Sequence, residues 1–246
     1  MRRKRAFLYS LGLGMLVSAL SGWPAVTAAQ SCPEGYSFPI TRFRREIRDL
    51  QIKYARIPKG AVVFYGSSSI RRWGTLRTDF APLPVVNCGF GGATLKEMNY
   101  YFRQLIAPLK PSILVAYGGE NDLAHPLYCL DSVQARFRQF LRLCDAYLPP
   151  QCPVVFVLIK NSPKRAAFRS QFEEFNAWVK QEAVNHPRLY LFDGDKVLQA
   201  PDGGNSHLVY GPDSLHLGPE GYRRWTEGLK PLLLRLYASA EVPAKP

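Results

Sequence analysis

Residues 62–73 read Val-Val-Phe-Tyr-Gly-Ser-Ser-Ser-Ile-Arg-Arg-Trp, an apolar run that ends at a glycine and three consecutive serines. β-Branched and aromatic residues without polar alternation are typical of a strand covered on both faces, as in a parallel sheet. Ligands of such sheets bind outside the carboxyl ends of the strands. The serines therefore belong either to a site or to the N-cap of the next helix, and this stretch alone does not decide between them.

Apolar runs alternate along the chain with segments of helical periodicity. The predicted strands are 62–65, 83–86, 113–117, 154–159 and 189–192. The predicted helices are 41–57, 94–106, a segment around Val133 to Cys144, a segment opened by Ser162 as N-cap with Pro163, and a last one from Pro219 that is kinked at Pro231. This alternation predicts an α/β protein, a three-layer α/β/α sandwich with a five-stranded parallel sheet of the flavodoxin-like kind.

The first 29 residues have the pattern of an export signal. Residues 2–5 are all basic, residues 6–20 form a mainly apolar run, and residues 25–29 are small. A run of fifteen residues falls short of the roughly 20 that span a bilayer, which disfavours a retained membrane anchor. We expect a removed signal peptide, 1–29, and one secreted or periplasmic domain, 30–246; the pattern does not distinguish Sec from twin-arginine export.

The chain is basic, with a formal net charge of +13. Four of these charges lie in the predicted leader, so the mature protein would carry +9. Such a protein is attracted to anionic surfaces of the cell envelope. The Lys and Arg residues are scattered and follow no nucleic-acid-binding signature, so we expect no nucleic-acid partner. The oligomeric state cannot be inferred from these patterns.

Five cysteines are present: Cys32, Cys88, Cys129, Cys144 and Cys152. In an oxidising compartment some of them would pair, and an odd number leaves at least one thiol free. Cys88 and Cys144 also fit as small core residues. Their spacing does not fix the connectivity.

Polar residues and glycines occupy four of the predicted loops. They are Ser67–Ser69 after the first strand, Gly89–Gly92 after the second, Gly118–Asp122 after the third, and Asp213–His216 before the last helix. Parallel strands place their carboxyl ends along one edge of the sheet, so these residues can converge. Ester hydrolysis needs a hydroxyl nucleophile, an imidazole, a carboxylate and donors for an oxyanion, and this set supplies all four.

The four loops resemble the blocks of the SGNH hydrolases, or GDSL-type esterases. Gly66-Ser67-Ser68-Ser69 is similar to the family's Gly-Asp-Ser block and Asn87-x-x-x-x-Gly92-x-Thr94 to the second block. Gly119-Glu120-Asn121-Asp122 resembles the third block and Asp213-Ser214-Leu215-His216 the last. The Gly-Ser-Ser-Ser form resembles the branch near the platelet-activating-factor acetylhydrolases and bacterial lysophospholipase-like esterases.

This resemblance implies a role for each matching residue. Ser68 would be the nucleophile, His216 the base and Asp213 the acid that orients it. The oxyanion hole would consist of the backbone N–H groups of Ser68 and Gly92 and the amide of Asn121. No metal and no cofactor are implied.

The chain departs from the family pattern at two positions. Ser67 stands where the family has Asp, and Ala93 follows the oxyanion glycine where Asp is frequent. Neither position carries one of the named roles. Ser67 and Ser69 nevertheless remain alternative nucleophiles beside Ser68.

The sequence favours a hydrolase of small acyl or acetyl esters, and three other functions stay open. One is an O-acetyl transferase or deacetylase of envelope polysaccharide, which uses the same chemistry. The second is a noncatalytic binding domain. The third, a phosphate or nucleotide binder, is disfavoured because neither GxGxxG nor a P-loop occurs.

Three further histidines fit weaker roles. His125 could line the pocket, His186 could cap a helix end, and His207 could contact substrate or lie in a solvated loop. Their spacing does not fit a metal site.

Overall fold

In the computed structural model, five parallel strands form a single sheet in the order β2-β1-β3-β4-β5. The strands are β1 (Val62–Gly66), β2 (Val85–Gly89), β3 (Ile113–Tyr117), β4 (Val154–Val157) and β5 (Leu189–Phe192). This is the flavodoxin-like order, in which ligands bind where the strand order reverses, between β1 and β3. The predicted fold class is confirmed.

Eight α-helices cover the sheet in the part of the chain that the structure describes, residues 39–125, 128–199 and 207–241. They are α1 (Arg44–Tyr54), α2 (Ser68–Arg71), α3 (Leu76–Asp79), α4 (Leu95–Leu105), α5 (Glu120–Leu123), α6 (Leu130–Tyr147), α7 (Arg169–Val184) and α8 (Pro219–Glu241). The predicted leader, 1–29, lies outside these residues, so its removal stays a prediction. No helix within them is long and apolar enough to cross a membrane.

Helices pack on both faces of the sheet because successive strand residues point to opposite sides. On β1, Val63 and Tyr65 contribute to the core under α1, α4, α6 and α7. Val62 and Phe64 contribute to the other core, which α2, α3 and α8 cover. Every residue of β1 is buried, which explains why the run shows no polar alternation.

Several predicted boundaries are wrong. The helix predicted over 41–57 is an α-helix only over Arg44–Tyr54, and the strand predicted over 154–159 ends at Val157. The second strand begins at Val85, not at Leu83, and extends to Gly89 instead of ending at Val86. Pro84 lacks an N–H group, so it contributes to the sheet only through its carbonyl, which accepts a hydrogen bond from Val62.

Ser162 and Pro163 do not open an α-helix. Pro163–Phe168 is a 3₁₀ turn, α7 begins only at Arg169, and the Ser162 side chain makes no capping bond. The last helix begins at Pro219 as expected and continues through Pro231.

Four of the cysteines lie in the described residues, and Cys32 lies outside them. Cys88, Cys144 and Cys152 are free and buried. Burial raises the pKa of Cys152 to about 12 and that of Cys88 further, so both thiols stay protonated. Cys129 is disulfide-bonded.

The end of β1 lies unusually close to the end of β3. A methyl carbon added to Gly66 would lie 2.1 Å from the carbonyl oxygen of Tyr117, and Gly66 has a φ of +149°. The N–H of Ser67 donates to that same carbonyl at 3.1 Å. Gly66 therefore allows the serine turn to start beside β3.

We predict that Gly66→Ala lowers the free energy of unfolding by about 2–5 kcal/mol, the sum of backbone strain and overpacking. Chemical denaturation measures this loss. Gly60→Ala separates the two causes, since Gly60 has a φ of +89° but open space around it, and it should cost about 1–2 kcal/mol. Gly74→Ala, which meets neither obstacle, should be neutral. A Gly66→Ala protein no less stable than Gly60→Ala would contradict the steric argument.

Candidate active site

The three consecutive serines differ in exposure at the point where β1 turns into α2. Ser67 and Ser69 are buried, and their hydroxyl oxygens have no hydrogen-bond partner among the described residues. Ser68, the first residue of α2, is half-buried. The hydroxyl of Tyr222 on α8 donates to the carbonyl of Ser69 at 3.0 Å and fixes α2 in place.

Ser68, His216 and Asp213 form a continuous chain of hydrogen bonds, although Ser68 lies far from the other two in sequence. The Ser68 Oγ atom lies 2.9 Å from His216 Nε2. His216 Nδ1 lies 2.6 Å from Asp213 Oδ2. The structure thus brings together all three side chains that the sequence assigns to the triad.

The loop that carries His216 and Asp213 is shaped by its own backbone. Ser214 has a φ of +54°, and the N–H groups of Leu215 and His216 turn back to Asp213 Oδ1 at 3.1 and 2.9 Å. The side-chain bond from His216, and then its backbone N–H, hold the pKa of the Asp213 carboxyl well below its usual range. Asp213 is thus ionised and oriented toward the imidazole.

Arg72 is a second contact of Asp213, at 3.2 Å. Both side chains are substantially exposed, with 56% and 42% of their surface accessible. Solvent screens such a pair, so we assign it little energy.

The glycine turn after β2 faces the serine turn. Gly92 has a φ of +79°, a backbone conformation that favours glycine. Among the described residues, no acceptor bonds the backbone N–H of Ser68 or of Gly92, and Ser68 stands at a helix start where N–H groups are free. Both donors are therefore available to a ligand.

Asn121 lies in α5, directly after β3, and Asp122 follows it. One amide N–H of Asn121 donates to the Ala93 carbonyl at 2.9 Å, next to Gly92. The other N–H has no acceptor within the described residues. The buried Asp122 carboxylate accepts from the N–H of Leu95, the first residue of α4, and from Arg136. Asp122 thus caps α4. The second amide N–H of Asn121 remains available to a ligand.

Two arginines that we did not anticipate hold the Gly92 turn and the Asn121 amide. Arg42 Nη2 donates to the Gly92 carbonyl at 2.9 Å. Arg165 Nη2 donates to Asn121 Oδ1 at 2.8 Å, and its Nη1 to the Glu120 carbonyl at 3.2 Å. Neither arginine lies in a family block, and no local pattern distinguishes them from other arginines.

Below Asn121 lies a buried cluster of charges. Lys160 Nζ lies 3.1 Å from both carboxylate oxygens of Glu120, and the Tyr117 hydroxyl donates to Glu120 at 2.5 Å. Burial opposes ionisation, but Lys160 and Arg165 outweigh it and lower the pKa of Glu120. The residue that precedes Asn121 is therefore a paired carboxylate.

Asn87, the first residue of the second block, stays at the edge of the sheet. Its Nδ2 donates to the Ile70 carbonyl at 2.7 Å, and its Oδ1 accepts from the N–H of Gly89 at 3.0 Å. Asn87 thus joins β2 to α2 and has no contact with the triad.

The other histidines lie in other parts of the chain. His186 Nε2 lies 3.2 Å from Asp145, while the backbone N–H of His186 donates to the Ala183 carbonyl at the end of α7. His125 is half-buried, and His207 begins a 3₁₀ turn. Among the described residues, no group of His, Cys, Asp or Glu could hold a metal ion.

Among the grooves on the described surface, two lie near α2. One, of about 1010 Å³, follows the edge strand β2, and the other, of about 640 Å³, lies between Arg72 and α8. Ser68 and His216 line neither of them. The Ser68 hydroxyl is bonded to the His216 imidazole and has free N–H donors nearby. Such a set of groups can carry out nucleophilic acyl transfer.

Comparison with known proteins agrees with this geometry. A family model, the GDSL-like lipase/acylhydrolase family, matches residues 58–224. The sequence matches no curated protein.

Solved structures of low sequence identity have the same fold. A candidate acylhydrolase from Bacteroides fragilis is 19% identical with a TM-score of 0.68, over 82% of this chain and 100% of that one. A candidate platelet activating factor from Streptococcus pneumonia is 16% identical with a TM-score of 0.67, over 78% and 94%. A variant of an acetyl xylan esterase from Geobacillus stearothermophilus is 16% identical with a TM-score of 0.57, over 76% and 99%.

We predict that Asp213 shows no titration step between about pH 7 and about pH 4, because its pKa lies below the ordinary 3.8. The folded state favours the ionised form, so this contribution to stability is present above the ordinary pKa and is lost as the pH falls below it. The measurement is the Cγ signal of ¹³C-labelled aspartate, assigned by its loss in Asp213→Asn.

The His216→Ala variant is the control for this measurement. It removes the bond that is the main cause of the shift, so the step should move back toward the ordinary value. An unshifted step in the wild-type protein would contradict the bonding described for Asp213.

Proposed function

Because the chain belongs to the GDSL-like lipase/acylhydrolase family and is an ester hydrolase, we propose that Ser68, His216 and Asp213 are its catalytic triad. The observation that carries the proposal is the unbroken chain of bonds from Ser68 Oγ through His216 to Asp213, at 2.9 and 2.6 Å. The chemistry would be that of a serine carboxylester hydrolase with an acyl-enzyme intermediate.

In the first half-reaction, Ser68 Oγ attacks the ester carbonyl carbon while His216 Nε2 takes the hydroxyl proton. The carbonyl oxygen becomes an oxyanion, bound by the N–H groups of Ser68 and Gly92 and by the amide of Asn121. Each such donor is worth about 2.7–4 kcal/mol in the transition state. The alcohol then leaves with the proton from His216, and the acyl group remains on Ser68.

In the second half-reaction, water attacks the acyl-enzyme and gives its proton to His216. Collapse of the second oxyanion releases the carboxylic acid and returns the proton to Ser68 Oγ. Asp213 accepts the Nδ1–H bond throughout, which fixes the imidazole tautomer and stabilises the imidazolium.

We propose small acyl or acetyl esters as substrates. One structural neighbour, an acetyl xylan esterase, supports short acyl groups. That neighbour also favours a second candidate within the same chemistry, the removal or transfer of O-acetyl groups on envelope polysaccharide. The positive charge of the chain would assist encounter with an acidic polysaccharide.

We also propose export with removal of residues 1–29, followed by one domain of residues 30–246. The basic, apolar and small-residue segments of the leader support this proposal.

We predict that a fluorophosphonate labels Ser68 alone, since Ser67 and Ser69 are buried and have no contact with His216. Mass spectrometry of the labelled protein locates the adduct. Ser67→Ala and Ser69→Ala serve as matched controls and should label at near-normal rates. An adduct on either neighbour would move the nucleophile; no adduct at all would favour a binding domain. For protein produced with its leader, the same spectra should show Gln30 as the first residue.

The rate of labelling also separates the base from the acid that orients it. His216→Ala should slow labelling by about 10²- to 10⁴-fold, and Asp213→Ala by less. The double variant should be scarcely slower than His216→Ala, because Asp213 acts through the imidazole. If the slowing of labelling in the double variant were the product of the slowing in the two single variants, the triad would be contradicted.

We predict that kcat/KM is highest for aryl acetate and falls along the series acetate, butyrate and octanoate, as the proposed preference for short acyl groups requires. Release of acetate from an O-acetylated polysaccharide, measured in parallel, tests the second candidate. A maximum at octanoate would contradict the proposal for short acyl groups.

A further inference from the structure

We propose that Arg165 is a positioning residue for ester hydrolysis, which orients and polarises the Asn121 amide; this inference rests on the proposed function. Arg165 lies in the 3₁₀ turn Pro163–Phe168, after β4, outside all four family blocks. Its guanidinium reaches across to α5, and its side chain is only 19% exposed.

The guanidinium holds the Asn121 amide through a rigid two-headed contact. Nη2 donates to Asn121 Oδ1 at 2.8 Å, while Nη1 donates to the Glu120 carbonyl at 3.2 Å and lies 3.2 Å from the Glu120 carboxylate. A planar guanidinium bonded at both ends cannot rotate freely, so the amide oxygen is fixed as well.

The bonds to the Asn121 amide also fix the direction of its remaining N–H. Ala93 accepts one N–H of Asn121, so the amide is bonded at its oxygen and at one hydrogen. Only the second N–H is left for an oxyanion. Preorganised donors of this kind stabilise a transition state because they need no reorganisation when charge develops.

The charge of Arg165 also strengthens this donor. A bond from a cation to Oδ1 draws electron density away from the amide nitrogen, and bonds in such a series reinforce one another. The effect grows with the negative charge on the substrate oxygen, so it acts on the transition state more than on the bound ester.

A purely structural role, neutralising Glu120, is the competing explanation. Lys160 already contacts both carboxylate oxygens of Glu120 at 3.1 Å, and Tyr117 donates a third bond. Glu120 therefore stays paired without Arg165, whereas Asn121 Oδ1 has no other donor in the described part of the chain.

The same turn also contacts the acid–base loop. The N–H of Lys164 donates to the Ser214 carbonyl at 2.9 Å, beside Asp213. One short segment thus bonds the proposed oxyanion amide through a side chain and the proposed triad loop through its backbone.

The test is the kinetics of aryl acetate hydrolysis by Arg165→Ala, Asn121→Ala and the double variant. Arg165→Ala should lower kcat by about 10- to 100-fold, less than the ~10²–10³ expected for loss of a donor itself, with KM changed less than about twofold. The double variant should match Asn121→Ala, because Arg165 acts through that amide. Added guanidinium at millimolar concentration should restore part of the kcat of Arg165→Ala and none of that of the double variant.

Arg169→Ala is the matched control. Arg169 lies four residues further on, is 56% exposed and pairs with Glu173, so its loss should leave kcat unchanged. Should Arg165→Ala not fold, Arg165→Lys replaces it in the same cycle, since a lysine retains a cation near Glu120 without the two-headed bond.

Two results would overturn the inference. One is an unchanged kcat for Arg165→Ala, or for the lysine variant in its place. The other is a loss that multiplies with that of Asn121→Ala, which would mean that Arg165 acts independently of the amide. Ser68→Ala reports separately on the proposed function: if it retained full activity, the triad would fall, whatever the coupling between Arg165 and Asn121.

Discussion

A carboxylate that is removed from water must be matched by cations, and this requirement organises the centre of the molecule. Glu120 is 4% exposed and Lys160 is completely buried. Breaking such a pair is far more costly than losing a surface ion pair, because the remaining charge stays buried. Glu120 follows β3, Lys160 follows β4, and Arg165 lies in the turn beyond. The pairing therefore holds the carboxyl ends of two strands and one turn in a single arrangement.

The proposed catalytic groups surround this buried pair without being part of it. Asn121 is the next residue after Glu120, and Ser68 follows β1, which is the neighbour of β3. The close approach of Gly66 to the Tyr117 carbonyl sets the distance between these two strand ends. Tyr117 also donates to Glu120, so one residue of β3 serves both contacts. The positions of nucleophile and amide are thus consequences of how β1 and β3 end.

Much of this arrangement could be predicted from sequence, since its signals are local. Continuous apolar runs predict buried strands, and Asp213 and His216 lie close enough in sequence to belong to one loop. The long-range contacts could not be predicted. Arg165 and Arg42 find their partners 44 and 50 residues away, and nothing near them indicates that pairing. The predicted start of the second strand is wrong for a local reason. Leu83 and Pro84 are apolar and so extend the predicted strand, but proline has no N–H to donate to a neighbouring strand.

The exposed edge of the sheet has one further consequence. β2 is an outer strand, and unpaired edge groups can pair with another chain and start aggregation. The N–H of Phe90 donates to the Gly66 carbonyl of β1. Successive N–H groups of a strand point to opposite sides, so the Gly89 N–H points away from β1, toward the side on which another strand could add. The Asn87 side chain accepts this N–H and is itself held by the Ile70 carbonyl. By accepting this N–H, the Asn87 side chain occupies one of the edge donors that strand addition would need.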